Sequence, residues 1–257
     1  MRRLLILAAI GASFYVSEVS PVRLWNGLPA MTGYIWGTLP EARLATLGSD
    51  LAAWMWGWKR WLPMLWETIL MAYAGTLLGA VAGLLLSFLA ARNLTPHPAL
   101  GAATRRLLEL ARTVPELVYA LLFVIAFGLG PLAGVLALGL HAAGALGKLS
   151  LELLEHVEPR PLEGMRASGA NWLETMRFGA APQILPGFLS YTLFRFELNV
   201  RSSAVIGFVG VGGIGQELYV ATRQFVYQDI SAIIVLLVAA VAILDQLSEV
   251  ARRRLAA

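Results

Sequence analysis

The chain has 257 residues, 58% of them hydrophobic and only 14% charged, with a mean hydropathy of +0.69. A soluble domain carries roughly 25% charged residues; this composition cannot cover its own surface in water, so the sequence describes an all-α membrane protein. The absence of cysteine excludes a disulfide framework, a thiolate metal centre and a cysteine nucleophile, and the net charge of +4 lies in short basic clusters between apolar runs, as in membrane flanks rather than nucleic-acid surfaces.

In chain order, Met1-Arg2-Arg3 precedes an apolar run from Leu4 to Val16. No small-x-small cleavage site follows, so residues 1–20 are expected to form an uncleaved transmembrane anchor. Residues 21–66 are expected to be periplasmic or interfacial: Trp54, Trp56, Trp58, Trp61 and Trp66 flank Lys59-Arg60, and indole rings favour the headgroup zone, which predicts a helix along the outer surface. Thr68 to Ala91 holds no Asp, Glu, Lys, Arg or His and is the clearest crossing; Gly75, Gly79 and Gly83 line one stripe where another helix can approach closely.

From Leu117 to Gly147 only His141 is ionisable, and Gly128-Leu129-Gly130-Pro131 predicts a break between two crossings. Basic residues precede the stretch (Arg92, Arg105, Arg106, Arg112) and follow it (Lys148, Arg160, Arg166, Arg177). With both basic loops cytoplasmic, an even number of crossings lies between them. His141 is expected to hydrogen-bond a neighbouring helix, and Glu116 to cap the third helix near the inner surface. The longest cytoplasmic loop, residues 151–185, predicts two short helices separated near Gly169-Ala170-Asn171 and bounded by Pro159, Pro161, Pro182 and Pro186.

Residues 185–215 are apolar at both ends but carry Arg195, Glu197, Asn199 and Arg201. Counting this stretch as a crossing, with Ile230 to about Val250 as the last, gives about six helices and both termini cytoplasmic. Of the twenty Lys and Arg, thirteen then lie inside, five outside (Arg23, Arg43, Lys59, Arg60, Arg223) and two within the fifth helix. At 100° per residue Arg195, Asn199 and Ser202 share a stripe, with Glu197 and Arg201 nearly opposite. Buried charges must pair or face protein or water. Glu197 and Arg201 are expected to neutralise each other and leave the Arg195 stripe positive, open to an anionic solute. The alternatives are that Arg195 pairs with an acid on another helix or snorkels along its stem, and that Arg201, rather than Arg195, faces the pathway. Gly207, Gly210, Gly212, Gly213 and Gly215 predict a gate, a tight contact or an exit loop.

Glu163-Gly164-Met165, then Gly169, then Pro182 thirteen positions on, resemble the EAA loop of bacterial ABC importer permeases, although Gly164 and Met165 replace its alanines and Gly179 and Ala181 its Ile and Leu. From about Glu67 onward the chain is similar to phosphonate-importer permeases of the PhnE type. The similarity is carried by Ala90-Ala91-Arg92-Asn93-Leu94, residues 127–138, 163–171 and 195–202, and Gly210-Val211-Gly212-Gly213-Ile214-Gly215. The resemblance implies a type I importer (MetI-like) permease fold over 67–257, a homodimer in the bacterial inner membrane, two cytoplasmic ATPase subunits and a periplasmic phosphonate-binding protein. By that resemblance Glu163 and Gly169 belong to the elbow that couples to the ATPase, with Gly164, Arg166, Asn171 and Pro182 as further candidates in it; the charge pattern makes Arg195, Glu197, Asn199, Arg201 and Ser202 the candidates for the pathway.

The sequence holds no Gly-x-x-x-x-Gly-Lys-Ser/Thr, so ATP and magnesium are expected on a partner and no cofactor in this chain. His97, His141 and His156 are scattered and there are three aspartates, which supplies neither a catalytic constellation nor a metal helix. A secondary transporter would show two related halves. Phosphite, phosphate or methionine remain alternative cargoes.

Overall fold

The computed structural model describes residues 2–17, 20–40 and 46–256. Arg43, counted among the outer basic residues, lies outside them. The described residues are helical: α1 (Arg2–Val16), α2 (Pro21–Thr38), α3 (Leu47–Trp54), α4 (Trp58–Ala90), α5 (Pro98–Thr113), α6 (Glu116–Phe127), α7 (Pro131–Glu155), α8 (Pro159–Ala167), α9 (Trp172–Glu174), α10 (Ala181–Ile206), α11 (Gly213–Arg223) and α12 (Tyr227–Ala256). Three of them, α4, α7 and α12, are each long and apolar enough to cross a bilayer, and three bent pairs, α1 with α2, α5 with α6, and α10 with α11, bring the candidate spans to six. Alone, the 15 residues of α1 reach about 22 Å, short of a hydrocarbon core of about 30 Å. Large apolar side chains such as Leu85, Ile125 and Val238 lie on the outside, which costs nothing where the surrounding solvent is lipid as apolar as they are.

The frame of the bundle is the parallel pair α4 and α7. A Cβ at Gly75 would lie 2.7 Å from Leu138 Cβ, at Gly79 2.5 Å from Ala142 Cβ, and at Gly83 2.8 Å from the Gly147 nitrogen. The glycine stripe is therefore a seam where two backbones touch, and packing rather than hydrophobicity holds it in lipid.

The break at residues 128–130 falls where expected, with Gly128 and Gly130 at φ +88° and +140°. Upstream, α5 and α6 meet at 91°, and the Tyr119 hydroxyl ties the corner by donating to the Ala111 carbonyl (3.1 Å).

Two ends of the bundle differ in what fills them. Trp61, Leu65, Ile214, Ile230 and Ile233 pack at one, here the tryptophan end, and Ala90, Leu94, Leu154, Leu162, Met176 and Ile184 at the other, the elbow end. The tryptophans are divided among a short helix, a turn and the start of α4. Trp54 and Trp56 donate to Ser231 Oγ (2.9 Å) and Asp229 Oδ1 (2.9 Å), and Trp61 is buried beneath Gly57, while Trp58 and Trp66 are exposed.

Candidate functional site

The elbow follows α7. Pro159 opens α8 in its first turn, where the missing N–H is an orphan anyway. Gly169 turns the chain at φ +83° with open space around it. Asn171 then caps α9 in a reciprocal box: its Oδ1 accepts from the Glu174 N–H (2.9 Å), and Glu174 Oε2 accepts from the Asn171 N–H (2.8 Å).

The second half of the elbow does not end at Pro182 or Pro186. It passes through a π-helical turn, Thr175–Ala180, into α10 without a stop. The wider turn absorbs the register change before Pro182, and the Gln183 side chain donates to the Gly179 carbonyl (2.8 Å). The expected second short helix is thus the root of the fifth span. Gly179, where the resembling motif has Ile, faces Leu162 of α8, whose Cδ2 would be 2.9 Å from a Cβ there. A bulkier residue at 179 would have to move the Leu162 side chain.

Glu163, Gly164, Arg166, Gly169, Asn171 and Pro182 are all exposed. The elbow is bonded to the α4–α5 corner: Trp172 Nε1 donates to the Leu94 carbonyl (2.6 Å), Arg166 Nη2 to the Asn93 carbonyl (3.3 Å), and Asn93 Nδ2 to the Leu154 carbonyl (2.8 Å).

The charges of α10 are paired differently from the helical-wheel expectation. Arg195 Nη2 donates to Glu116 Oε1 (2.5 Å), both side chains largely buried, and His141 Nε2 lies 3.5 Å from the same oxygen. Glu197, 5% exposed, is held by Arg252 of α12. Arg201 Nη2 donates to Asp245 Oδ2 (2.7 Å), both half-exposed beside a cavity of about 450 Å³ between α10, α11 and α12. The Glu197–Arg201 pair does not form, and the Arg195 stripe is not an uncompensated positive surface: each charge takes its counter-ion from another helix. Glu116, expected only to cap, is the partner of Arg195. His141 meets its expectation, with Nδ1 3.0 Å from the Val114 carbonyl.

Asn199, fully buried, donates to Thr76 Oγ1 (2.8 Å), and Ser202 is half-buried beside it. Sequence reasoning missed Thr68, Thr76 and Ser203. Ser203 Oγ donates to the Thr68 carbonyl (3.2 Å), and Thr68 Oγ1 accepts from the Ile214 N–H (2.8 Å). Their signal was the spacing of Thr68, Ala72 and Thr76, one polar face beside the glycine seam.

The glycine run breaks the fifth span. Gly210, Gly212 and Gly213 have φ +87°, +97° and +72°. Gly207 and Gly215 bring α10 and α11 into backbone contact, a Cβ at Gly207 lying 2.7 Å from Gly215 Cα. The Gly130 N–H donates to the Gly210 carbonyl (3.1 Å), and Leu129 packs on Gly210. The α6–α7 turn thereby closes on the hinge of the fifth span. Beside that closure lies a cavity of about 340 Å³ lined by Met64, Glu67, Leu129, Gly212, Gln216 and Glu217.

Residues 75–257 match the family described as binding-protein-dependent transport system inner membrane component. The phosphite transport system permease protein PtxC of Stutzerimonas stutzeri is 39% identical over 94% of this chain and 84% of that protein. The phosphate-import permease protein PhnE of Mycolicibacterium smegmatis is 41% identical over 73% of this chain but 35% of its own length, and the putative cryptic phosphonate transport system permease protein PhnE2 of Escherichia coli K12 is 49% identical over 46% of this chain and 98% of its own. In fold, the chain matches an inward-facing structure of the MetNI methionine ABC transporter with TM-score 0.67 at 22% identity, covering 78% of this chain and 97% of that one. A transporter of the polysaccharide alginate matches with TM-score 0.67 at 12% identity over 98% and 99%. The chain is a multi-pass permease of the MetI-like type I importer fold, and it belongs to the family of inner membrane components of binding-protein-dependent transport systems.

Proposed function

We propose that two copies of this permease form the pathway of an ATP-driven importer for phosphonates or related phosphorus oxyanions. A periplasmic binding protein delivers the solute at the tryptophan end, and two ATPase subunits, carrying ATP and magnesium, dock on the elbows. Thirteen of twenty basic residues then flank the cytoplasmic side, with both termini there. The cargo reading is supported by relatives named for phosphite, phosphate and phosphonate transport.

The observation that carries the mechanism is continuity. Residues 172–209 form one helical run from elbow to glycine hinge, so a push at the elbow is felt where Gly210 meets the α6–α7 turn. ATPase closure rocks this run, parts the Gly130–Gly210 contact and opens the outer side, giving alternating access. Glu163, Gly164 and Arg166 present the docking face. Arg195, Glu197 and Asn199 hold α10 in the bundle, whereas half-exposed Arg201, with Ser202 next to it, meets the solute.

The test is ATPase activity of the reconstituted complex with its binding protein loaded with methylphosphonate, phosphite, phosphate or methionine. Stimulation by one of the phosphorus oxyanions alone is expected, and stimulation by methionine alone would refute the cargo. Gly169→Pro is expected to leave the permease in the membrane but abolish co-purification of the ATPase, because proline cannot adopt a positive φ. Undiminished co-purification would remove Gly169 from the elbow.

A further inference from the structure

The cavity beside the hinge has a charge that an anion importer does not obviously want. It lies about 14 Å along α4 from its first residue, taking 1.5 Å per residue from Trp58 to Glu67. Its walls are Met64 and Glu67 of α4, Leu129, Gly130 and Pro131 of the α6–α7 turn, and the glycine hinge with Gln216 and Glu217 of α11. Two of these groups are ionisable. Glu217 is neutralised by Arg60, whose Nη2 lies 2.6 Å from its Oε1. Glu67 has no hydrogen bond or ion pair among the described residues, and its carboxylate lies over Gly212, where a Cβ would be 3.0 Å from Oε1. The hinge and the α6–α7 turn bring only glycine, leucine and proline to it. The cavity therefore carries one uncompensated negative charge at the floor of the proposed outer entrance.

An ionised carboxylate accepts hydrogen bonds and donates none. A fully ionised oxyanion is repelled by that carboxylate and finds no hydrogen-bond donor in it, while an oxyanion that still carries a P–OH can donate its proton into a hydrogen bond with it. Specificity arises as much from such repulsion as from attraction. Resting on the proposed function, we propose that Glu67 selects the monoprotonated form of the phosphorus oxyanion at the hinge cavity and turns away the fully ionised form. Arg60, held by Glu217, supports the wall, and Gln216 supplies an uncharged amide that can serve either partner of the solute.

The second ionisation of a phosphate monoester lies near about pH 6, and above it the monoanion falls about tenfold per pH unit. The experiment measures initial uptake of phosphite and of methylphosphonate into proteoliposomes of the complete complex at pH 6 and pH 8. The binding protein is kept saturated at both values, and wild type, Glu67→Gln and Glu67→Asp are compared. Phosphite uptake by wild type and by Glu67→Asp is expected to fall about tenfold or more between pH 6 and pH 8, following the monoanion, and methylphosphonate uptake to fall less, because carbon on phosphorus holds the second proton to higher pH; the fall for Glu67→Gln, which no longer repels the dianion, is expected to be less than about twofold for both. Equal slopes for wild type and Glu67→Gln would overturn the proposal. So would a Glu67→Gln complex that assembles with its ATPase yet is equally inactive at both values, since Glu67 would then serve closure rather than selection. Wild type that takes up neither oxyanion at any pH would instead refute the cargo reading beneath it.

Discussion

Glu116→Ala is expected to destabilise the protein by about 3–5 kcal/mol, because it strips the counter-ion from a buried arginine. The Arg195 side chain is 12% exposed and that of Glu116 19%, and Arg195 Nε already lacks a partner. Among the described residues Glu116 is the one carboxylate paired with Arg195, and His141, whose Nδ1 is engaged with the Val114 carbonyl, brings no negative charge to replace it. Thermal unfolding in detergent, followed by monodisperse fraction, measures the loss. Glu116→Ala combined with Arg195→Met is expected to recover most of it, since a buried pair can be replaced by apolar groups at little cost while half of one cannot. An Arg195→Ala variant of unaltered thermal stability that fails only in uptake would restore Arg195 to the pathway and sink the packing assignment.

Gly79→Leu is expected to be comparably damaging for a steric reason. A Cβ at position 79 would lie 2.5 Å from Ala142 Cβ and 2.8 Å from the Gly139 carbonyl oxygen, so a leucine cannot be seated without parting α4 from α7. Overpacking of this kind costs about 1–3 kcal/mol, here at the upper end because backbone is among the atoms struck. Leu78→Ala, one residue away at a position 52% exposed, is expected to change stability by about 0.5 kcal/mol or less. Ala142→Gly on the Gly79→Leu background is expected to restore part of the loss by removing the nearest methyl. Equal stability of Gly79→Leu and wild type would mean that the seam is not closely packed.

The legible parts of the site were those written locally. The α6–α7 break follows from the glycines and proline at 128–131, the opening of α8 from Pro159, and the turn at Gly169 from the Gly169-Ala170-Asn171 run between two helical stretches. Pro182 and Pro186 misled: Pro182 follows a π turn and sits in the first turn of α10, where a missing N–H costs little, and Pro186 lies within α10, neither of which the residue pattern alone announces. The pairing of Glu197 with Arg201 misled for a related reason: a four-residue spacing makes neighbours on an isolated helix, yet α12 offered each a partner, Arg252 and Asp245.

Composition and periodicity by themselves determined that this chain is helical, that it lies in a membrane and where its longest crossings run, because in hydrocarbon each backbone N–H must be satisfied within its own helix and only long apolar segments manage that. Which charges neutralise one another was decided by tertiary structure alone. Arg195 finds Glu116 across 79 residues, Arg252 finds Glu197 across 55 and Arg201 finds Asp245 across 44. Coulomb attraction depends on distance in space, and those distances exist only once α6, α10 and α12 have packed.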